Sequence, residues 1–139
     1  MQKQPLVVVA GFASLNKIRD YFSQAASEAG FDEDGVFEIQ VAVDEAASNI
    51  IDHAYQGECQ SDIECDYQLL PNGLQMTLHD HGRPFDPDQV EAPDIVSDPT
   101  KRKQRGLGLF FMRQMVDEVN FSFHQEGGNL LTMIKYRRH

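Results

Sequence analysis

Three polar residues, Glu45, Asn49 and Asp52, are spaced by four and three positions in the stretch VDEAASNIIDH. On a helix this spacing aligns them along one nearly continuous stripe. A carboxylate such as Glu45 can accept a proton. The amide oxygen of Asn49 can bind Mg²⁺, a hard cation that takes few protein ligands when phosphates supply the others. The same spacing is typical of a solvent-exposed polar helix face, so the pattern alone leaves both interpretations open.

A second polar feature is an aspartate at the end of an apolar strand, in the stretch LQMTLHDHGRPFDP. The alternation of Leu74, Met76 and Leu78 predicts that Asp80 also points toward the core. A buried carboxylate is costly unless a group donates hydrogen bonds to it, and the amino group of a purine is one such donor. Gly82 would then let the backbone approach a flat ring without a Cβ in the way. An Asx turn that ends the strand explains the aspartate equally well.

A third feature is a pair of glycines where an apolar helix is about to begin, in the stretch RGLGLFFMRQM. Gly106 and Gly108 would each weaken a helix interior by about 0.5–1 kcal/mol relative to alanine. At a helix start they instead expose backbone N–H groups beside the positive end of the helix dipole, which favours a phosphate. Four basic residues add positive charge just before the helix: Lys101, Arg102, Lys103 and Arg105. Glycines punctuate many loops, so it is the order of all three features that indicates a phosphate site.

Two helices and a glycine-led third helix are predicted to carry these residues. Ser14 is a suitable N-cap for a helix that presents Leu15, Ile18, Phe22 and Ala25 on one face and ends at Gly30. A second helix is predicted from about residue 34 to 55, with Ile39, Val43, Ala46 or Ala47, and Ile50 as its apolar stripe. The third helix is predicted over about 106–117.

Five strands complete the predicted layout, beginning with the apolar stretch PLVVVA. In DIECDYQLL, alternation places Ile63, Cys65, Tyr67 and Leu69 on one side. A PNG turn leads into LQMTLHD, and two last strands are predicted near 119–125 and 129–137, on either side of a Gly-Gly turn. The sum is an α+β two-layer sandwich, in which one mostly antiparallel mixed sheet carries the helices on one face.

The composition of the chain limits the functions and the cellular location that we expect for this protein. The chain has 139 residues, a size typical of one domain, and a net charge of −10. Such acidity argues against direct nucleic-acid binding and suits either contact with a basic protein surface or simple solubility. No stretch approaches the about 20 apolar residues of a membrane helix, and the N-terminus does not resemble a signal peptide, so we expect a cytoplasmic protein. Two cysteines, Cys59 and Cys65, suggest neither a disulfide framework nor a zinc site.

In this order, the three features match the N, G1 and G2 boxes of the GHKL ATPases, which share the Bergerat ATP-binding fold. Among these, the chain resembles the bacterial anti-sigma factor serine/threonine kinases over nearly its whole length. FASLNKIRDYFSQAASEAGFDED resembles their first helix, VAVDEAASNIIDHAY their N box, DHGRPFDP their G1 box and RGLGLFFMRQMVDEV their G2 box. The resemblance implies a single histidine-kinase-like ATPase domain over 1–139, with an ATP lid at about 86–105 and with ATP and Mg²⁺ as cofactors.

The resemblance also implies a role for each matching residue. Asn49 would bind Mg²⁺, Glu45 would be the catalytic base that accepts the proton of an attacking serine, and Asp80 would receive the adenine amino group beside Gly82. The remaining nucleotide contacts would come from His53, from Lys101 and Arg105 in the lid, and from the backbone N–H groups of Gly106, Leu107, Gly108 and Leu109. One departure is Gly128-Asn129, where the family often has Gly-Thr near the adenine.

For function, the resemblance implies a kinase that phosphorylates an anti-anti-sigma (STAS-domain) protein and otherwise sequesters a sigma factor. It is consistent with a homodimer, a state typical of the family, and with no nucleic-acid or membrane partner. The alternative is a nucleotide-dependent binding module without phosphotransfer, against which the presence of Glu45 counts. The ATPase parts of topoisomerases, mismatch-repair proteins and chaperones need further domains, and sensor histidine kinases need an upstream phosphoacceptor helix. At 139 residues, the chain is expected to be none of these.

Overall fold

Five strands and two α-helices account for most of the residues that the computed structural model describes, which are 4–51, 62–81, 111–124 and 127–138. In chain order these elements are β1 (Leu6–Val9), α1 (Leu15–Glu28), α2 (Glu33–Asn49), β2 (Asp62–Leu70), β3 (Gly73–Asp80), β4 (Glu118–His124) and β5 (Gly128–Tyr136). A short 3-10 turn, Phe12–Ser14, precedes α1, and residues 111–115 are helical.

The strands form one sheet in the order β1-β2-β3-β5-β4. All four pairings are antiparallel, so the sheet predicted as mixed is antiparallel throughout the described residues. At one end of β3, Asp80 lies opposite both Ile63 and Asn129. At the other end, Gly73 lies opposite Tyr136. The register therefore places the end of β3 beside the beginning of β5.

The core lies between one face of the sheet and the two helices, which confirms the predicted α+β sandwich. Leu74, Met76 and Leu78 of β3 are fully buried, as their alternation predicted. They share one hydrophobic cluster with Ile18, Phe22 and Ala25 of α1 and with Ile39, Val43, Ala46 and Ala47 of α2. Leu15 and Ile50, also predicted for these faces, are only partly buried against that cluster. Both helices thus cover the same face of the sheet.

One predicted core residue, Leu69, is not buried: its side chain is 38% exposed. The reason is the length of α1. The hydroxyl of Tyr67 donates a hydrogen bond to the carboxylate of Glu28, the last residue of that helix, at 2.8 Å. Leu69 lies two residues further along β2, beyond the area that the helix covers.

The hydrogen bonds at the starts of α1 and α2 differ from those that the sequence predicted. Ser14 does occupy the position before α1, but its hydroxyl donates to the carbonyl oxygen of Val9 at 2.5 Å instead of capping the helix. The α2 helix begins at Glu33 because Oδ1 of Asp32 accepts a hydrogen bond from the backbone N–H of Gly35 at 2.8 Å. The predicted end of this helix near residue 55 lies outside the described residues. No helix among the described residues is long and apolar enough to cross a membrane.

We expect Gly128→Ala to destabilise the fold by more than about 1 kcal/mol. Gly128 has a φ of +82°, and a Cβ there would lie 2.1 Å from the carbonyl oxygen of Asp80. Urea denaturation of the variant and the wild type measures the difference. Gly30→Ala is the matched control, because Gly30 has a φ of +90° but a Cβ there would meet nothing closer than 3.5 Å. An equal loss in both variants would show that backbone strain alone, and not the close approach to β3, sets the cost.

Candidate functional site

The second half of α2 presents two of the three polar residues predicted to form one stripe, and the third, Asp52, lies outside the described residues. Glu45 and Asn49 are one helical turn apart, and both are partly exposed beside the buried stripe of the helix. The side-chain Nδ2 atom of Asn49 is buried and has no hydrogen-bond partner within the part of the chain that the structure describes. An unpaired buried amide donor is costly, so Asn49 is suited to a polar ligand rather than to the apolar core.

The direction of α2 places Glu45 and Asn49 at the same end of the sandwich as Asp80. The turn before α2 lies beside Arg137, whose guanidinium donates to the carbonyl oxygen of Ala29 at 2.7 Å. Further along the helix, Glu38 contacts Lys135 of β5 at 3.3 Å. The helix therefore runs antiparallel to β5, away from the Arg137 end of the sheet. Helical rise carries Asn49 about 17 Å beyond Glu38, close to the about 20 Å that separate Lys135 from Asn129 near the start of β5.

Burial changes the acidity of two neighbouring carboxyl groups on α2. Desolvation, with a smaller contribution from Asp44, raises the pKa of Glu45 above its usual value of 4.5. Desolvation also raises the pKa of Asp44, although the nearby guanidinium of Arg19 lowers it in part. Arg19 and Asp44 form an ion pair across α1 and α2 at 3.5 Å. A carboxylate that is incompletely solvated binds a proton more readily, which is the property that a general base needs.

At the end of β3, the carboxylate of Asp80 is 2% exposed, so the prediction that it points inward is confirmed. Asn129, its partner across the sheet, donates from Nδ2 to Oδ1 of Asp80 at 3.0 Å and is itself 8% exposed. Two residues further from the end of the sheet, Leu78 and Leu131 form the next cross-strand pair on the same face, and both are buried. A carboxylate and an amide fixed edge to edge form a rigid hydrogen-bonding group at the end of the sheet.

These residues fit a magnesium–nucleotide complex. The amide of Asn49 offers an oxygen that can bind Mg²⁺ and a nitrogen that can donate to a phosphate oxygen, and the nitrogen is the atom that has no partner among the residues described. Asp80 offers a carboxylate acceptor, which suits an exocyclic amino group. Both kinds of group lie at one end of the sandwich, at separate positions, as the two ends of a nucleotide require. The donor set is therefore compatible with Mg²⁺ and ATP.

Several predicted site residues lie outside the described residues. They are His53, Gly82, Lys101, Arg105, Gly106, Leu107, Gly108 and Leu109, together with the predicted lid at 86–105. Helical residues 111–115, which follow the glycines in sequence, are described and end before β4. Met112 of this helix is fully buried in the shared core.

Sequence analysis missed two polar residues that the structure buries on β5. Asn129 was noted only as a departure from a family pattern, and Lys135 was not considered. Both lie on the core-facing side of the strand with Leu131 and Met133, and Lys135 is 2% exposed. The alternation of the stretch NLLTMIK was the available signal, because it places positions 129, 131, 133 and 135 on one face.

The sequence of this chain is similar to a known family and to named bacterial proteins. Residues 8–135 match the family described as the histidine kinase-like ATPase domain. A protein named serine-protein kinase RsbW from Listeria monocytogenes is 30% identical over 129 residues, which cover 90% of this chain and 80% of that protein. The serine-protein kinase RsbW of Bacillus subtilis is 30% identical over 123 residues, which cover 86% of this chain and 76% of that protein.

Solved structures share the fold at lower identity. The structure of the RsbU and RsbW domains of a Mycobacterium tuberculosis protein superposes with a TM-score of 0.58 at 15% identity, and the match covers 96% of this chain and 32% of that one. A blue-light activated histidine kinase domain from Erythrobacter litoralis gives a TM-score of 0.55 at 18% identity, covering 89% of this chain and 59% of that one. The expected family resemblance is confirmed, and the relatives support an ATP-dependent serine/threonine kinase. The chain belongs to the histidine kinase-like ATPase domain family.

Proposed function

We propose that this protein transfers the γ-phosphoryl group of ATP to a serine or threonine hydroxyl of an anti-anti-sigma (STAS-domain) protein and otherwise sequesters a sigma factor. The observation that carries the proposal is the position on α2 of a partly desolvated carboxylate, Glu45, one turn before Asn49, whose buried amide nitrogen has no partner among the described residues. The curated relatives are named serine-protein kinases, which supports the choice of a hydroxyl acceptor.

In the proposed reaction, Glu45 accepts the proton of the acceptor hydroxyl as its oxygen forms a bond to the γ-phosphorus. The bond between that phosphorus and the bridging oxygen breaks, and ADP leaves with the bond's electron pair. Asn49 holds Mg²⁺ with the phosphates, and Mg²⁺ supplies positive charge that offsets the negative charge of the triphosphate. Asp80 accepts a hydrogen bond from the adenine amino group, and Asn129 keeps the carboxylate in place.

The proposed function also includes further contacts with the nucleotide and a choice between protein partners. We place the phosphates against the backbone of 106–109, with Lys101 and Arg105 in a lid over about 86–105, and His53 and Gly82 beside the nucleotide. Residues 1–139 then act as one ATP-binding domain. ATP, ADP and phosphorylation of the STAS-domain protein would decide which partner is bound, in the cytoplasm, with the kinase as a homodimer.

The kinase proposal predicts that Glu45→Gln lowers the rate of phosphoryl transfer by about 10²- to 10⁴-fold, because the variant has no general base. The assay supplies Mg²⁺, γ-labelled ATP and a STAS-domain protein that co-purifies with this protein or is encoded beside it, and it follows label on a partner hydroxyl. Ser48→Ala on the same helix is the control and should transfer at the wild-type rate. ATP binding without label on the partner, in wild type and variant alike, would instead indicate a nucleotide-dependent binding module.

The same assay has a pH readout that belongs to Glu45. Because its pKa is raised, the carboxylate becomes protonated at a higher pH than an ordinary glutamate, and transfer should fall as the pH drops through that raised value.

The raised pKa of Glu45 also affects the stability of the fold. The folded state holds this proton more tightly than the unfolded state, so ionisation of Glu45 above the raised pKa lowers the free energy of unfolding. Glu45→Gln removes that cost and should be at least as stable as wild type at neutral pH. A loss of stability would mean that Glu45 serves the fold.

Asn49→Ala should weaken the binding of Mg-ATP by about tenfold or more, since a hydrogen bond to a charged group contributes about 1.5–3 kcal/mol. Isothermal titration calorimetry with and without Mg²⁺ separates the two parts of this role. The variant should lose most of the gain in affinity that Mg²⁺ gives the wild type. Near-normal affinity in the presence of Mg²⁺ would remove Asn49 from the metal role.

Asp80→Asn should lower the affinity for ATP and ADP by about 10- to 100-fold, the value of a hydrogen bond to a charged acceptor. The amide keeps one oxygen to accept from Asn129, so thermal stability without ligand should change little. Calorimetry with both nucleotides and a thermal melt measure the two effects. A variant that binds both nucleotides like wild type would contradict the adenine assignment, and one that merely melts earlier would make Asp80 a structural residue.

A further inference from the structure

Lys135 is a lysine whose ammonium group is enclosed by the protein, with its side chain 2% exposed. The Nζ atom donates to the backbone carbonyl oxygen of Met115 at 2.6 Å and to Oε2 of Glu38 at 3.3 Å. Glu38 is itself partly exposed, at 26% of its side chain. Burying a charge is costly unless it is paired and hydrogen-bonded, and a buried pair is weak evidence for stability alone. The positions of the two hydrogen-bond partners of Lys135 therefore indicate the structural role of the buried ammonium group.

The first partner is the end of a helix. Met115 is the last residue of the helical segment 111–115, where carbonyl groups lack helical partners and carry partial negative charge. The same end is fixed to β5 twice more. The N–H of Asp117 donates to the carbonyl oxygen of Ile134 at 2.9 Å, and Oδ2 of Asp117 accepts from the N–H of Tyr136 at 2.7 Å.

The second partner lies on α2, which carries the candidate base and the candidate metal ligand. Glu38 precedes Glu45 by seven residues and Asn49 by eleven, within one uninterrupted helix. At 3.6 residues per turn these are about two and three full turns, so the three side chains share a side of the helix. A shift of Glu38 along β5 would move Glu45 and Asn49 with it, because a helix moves as a rigid unit.

We propose that Lys135 is a positioning residue for the nucleotide, acting from the opposite end of the sandwich. Its ammonium group ties α2 to β5 and to the end of the 111–115 helix, and so fixes the position of Glu45 and Asn49 relative to the sheet. Lys135 does not contact the nucleotide, since strand geometry places it about 20 Å from Asn129. This inference rests on the proposed function.

The test compares Lys135→Met with wild type in Mg-ATP affinity by calorimetry and in kcat and KM for ATP, at a temperature where circular dichroism shows both folded. We expect an affinity loss of at least about fivefold, in the range of couplings between distant sites, and a higher KM for ATP. Lys135→Arg, which keeps the charge and the donors, should recover most of the loss. Unchanged affinity and KM in the methionine variant would overturn the proposal.

Arg137→Met is the matched control, because Arg137 is a cation two residues further along the chain that also donates to backbone carbonyl oxygens. Its acceptors are Ala29 at 2.7 Å and Pro71 at 2.6 Å, neither of which belongs to α2 or to the 111–115 helix. The variant should melt earlier than wild type but bind Mg-ATP within twofold of it. An equal loss of affinity in the Arg137 variant would show that general loosening of the fold, rather than the link through Lys135, governs binding.

A double variant keeps the test decisive if Lys135→Met alone fails to fold. Glu38→Gln with Lys135→Met removes both charges, and so leaves no buried charge unpaired, a change that proteins often tolerate. It should fold and still bind Mg-ATP weakly, and normal affinity would contradict the proposal. If wild type binds ATP but transfers no phosphate, the kinase proposal fails, while the affinity comparison still decides the role of Lys135. If wild type does not bind ATP, both fail.

Discussion

The pairing of β3 with β5 is the interaction on which the rest of the structure depends. Apart from the hydroxyl groups of buried tyrosines, three polar or charged side chains are buried among the described residues, Asp80, Asn129 and Lys135, and all three lie on these two strands. Each needs a partner at a fixed position, since an unpaired buried polar group costs more than a hydrogen bond contributes. A slip of one residue would turn Asn129 and Lys135 to the open face and leave Asp80 without its amide partner. The buried polar groups therefore specify the register as strongly as the apolar core does.

Local patterns predicted the parts of the fold that depend on neighbouring residues. The alternation of β3 was enough to place Asp80 inward, because a strand continues its period until it ends. The same reasoning was wrong for Leu69, because a period does not reveal where the helix above the strand stops. Ser14 was assigned to the correct position, but the nearby carbonyl of Val9 took its hydroxyl. The errors lie where a second element decides the environment of a residue.

The residues of the candidate site were proposed from their types, their spacing and the family resemblance, whereas their contacts could not be predicted. Spacing and alternation placed Glu45, Asn49 and Asp80 on definite faces of regular elements, and the family resemblance then assigned them to the site. The bond between Asn129 and Asp80 joins residues 49 positions apart, and that between Lys135 and Glu38 joins residues 97 apart. Such contacts require the strand order and the direction of α2, which no local period contains. The part of the site assigned to 106–109 depends on the sequence alone, because it lies outside the described residues.

The polar groups at the two ends of the sandwich differ in how fully they are hydrogen-bonded. At one end, the carboxylate of Glu45 is partly desolvated, and the amide nitrogen of Asn49 is buried without a partner among the described residues. At the other end, Lys135 and Arg137 are held by carbonyl and carboxylate oxygens from helices and turns. Unsatisfied groups cost stability in the free protein, and a ligand that satisfies them recovers that cost as binding energy. The contacts of Lys135 with Glu38 and Met115 hold α2 and the 111–115 helix at the opposite end, and we propose that this link keeps Glu45 and Asn49 in position for a nucleotide.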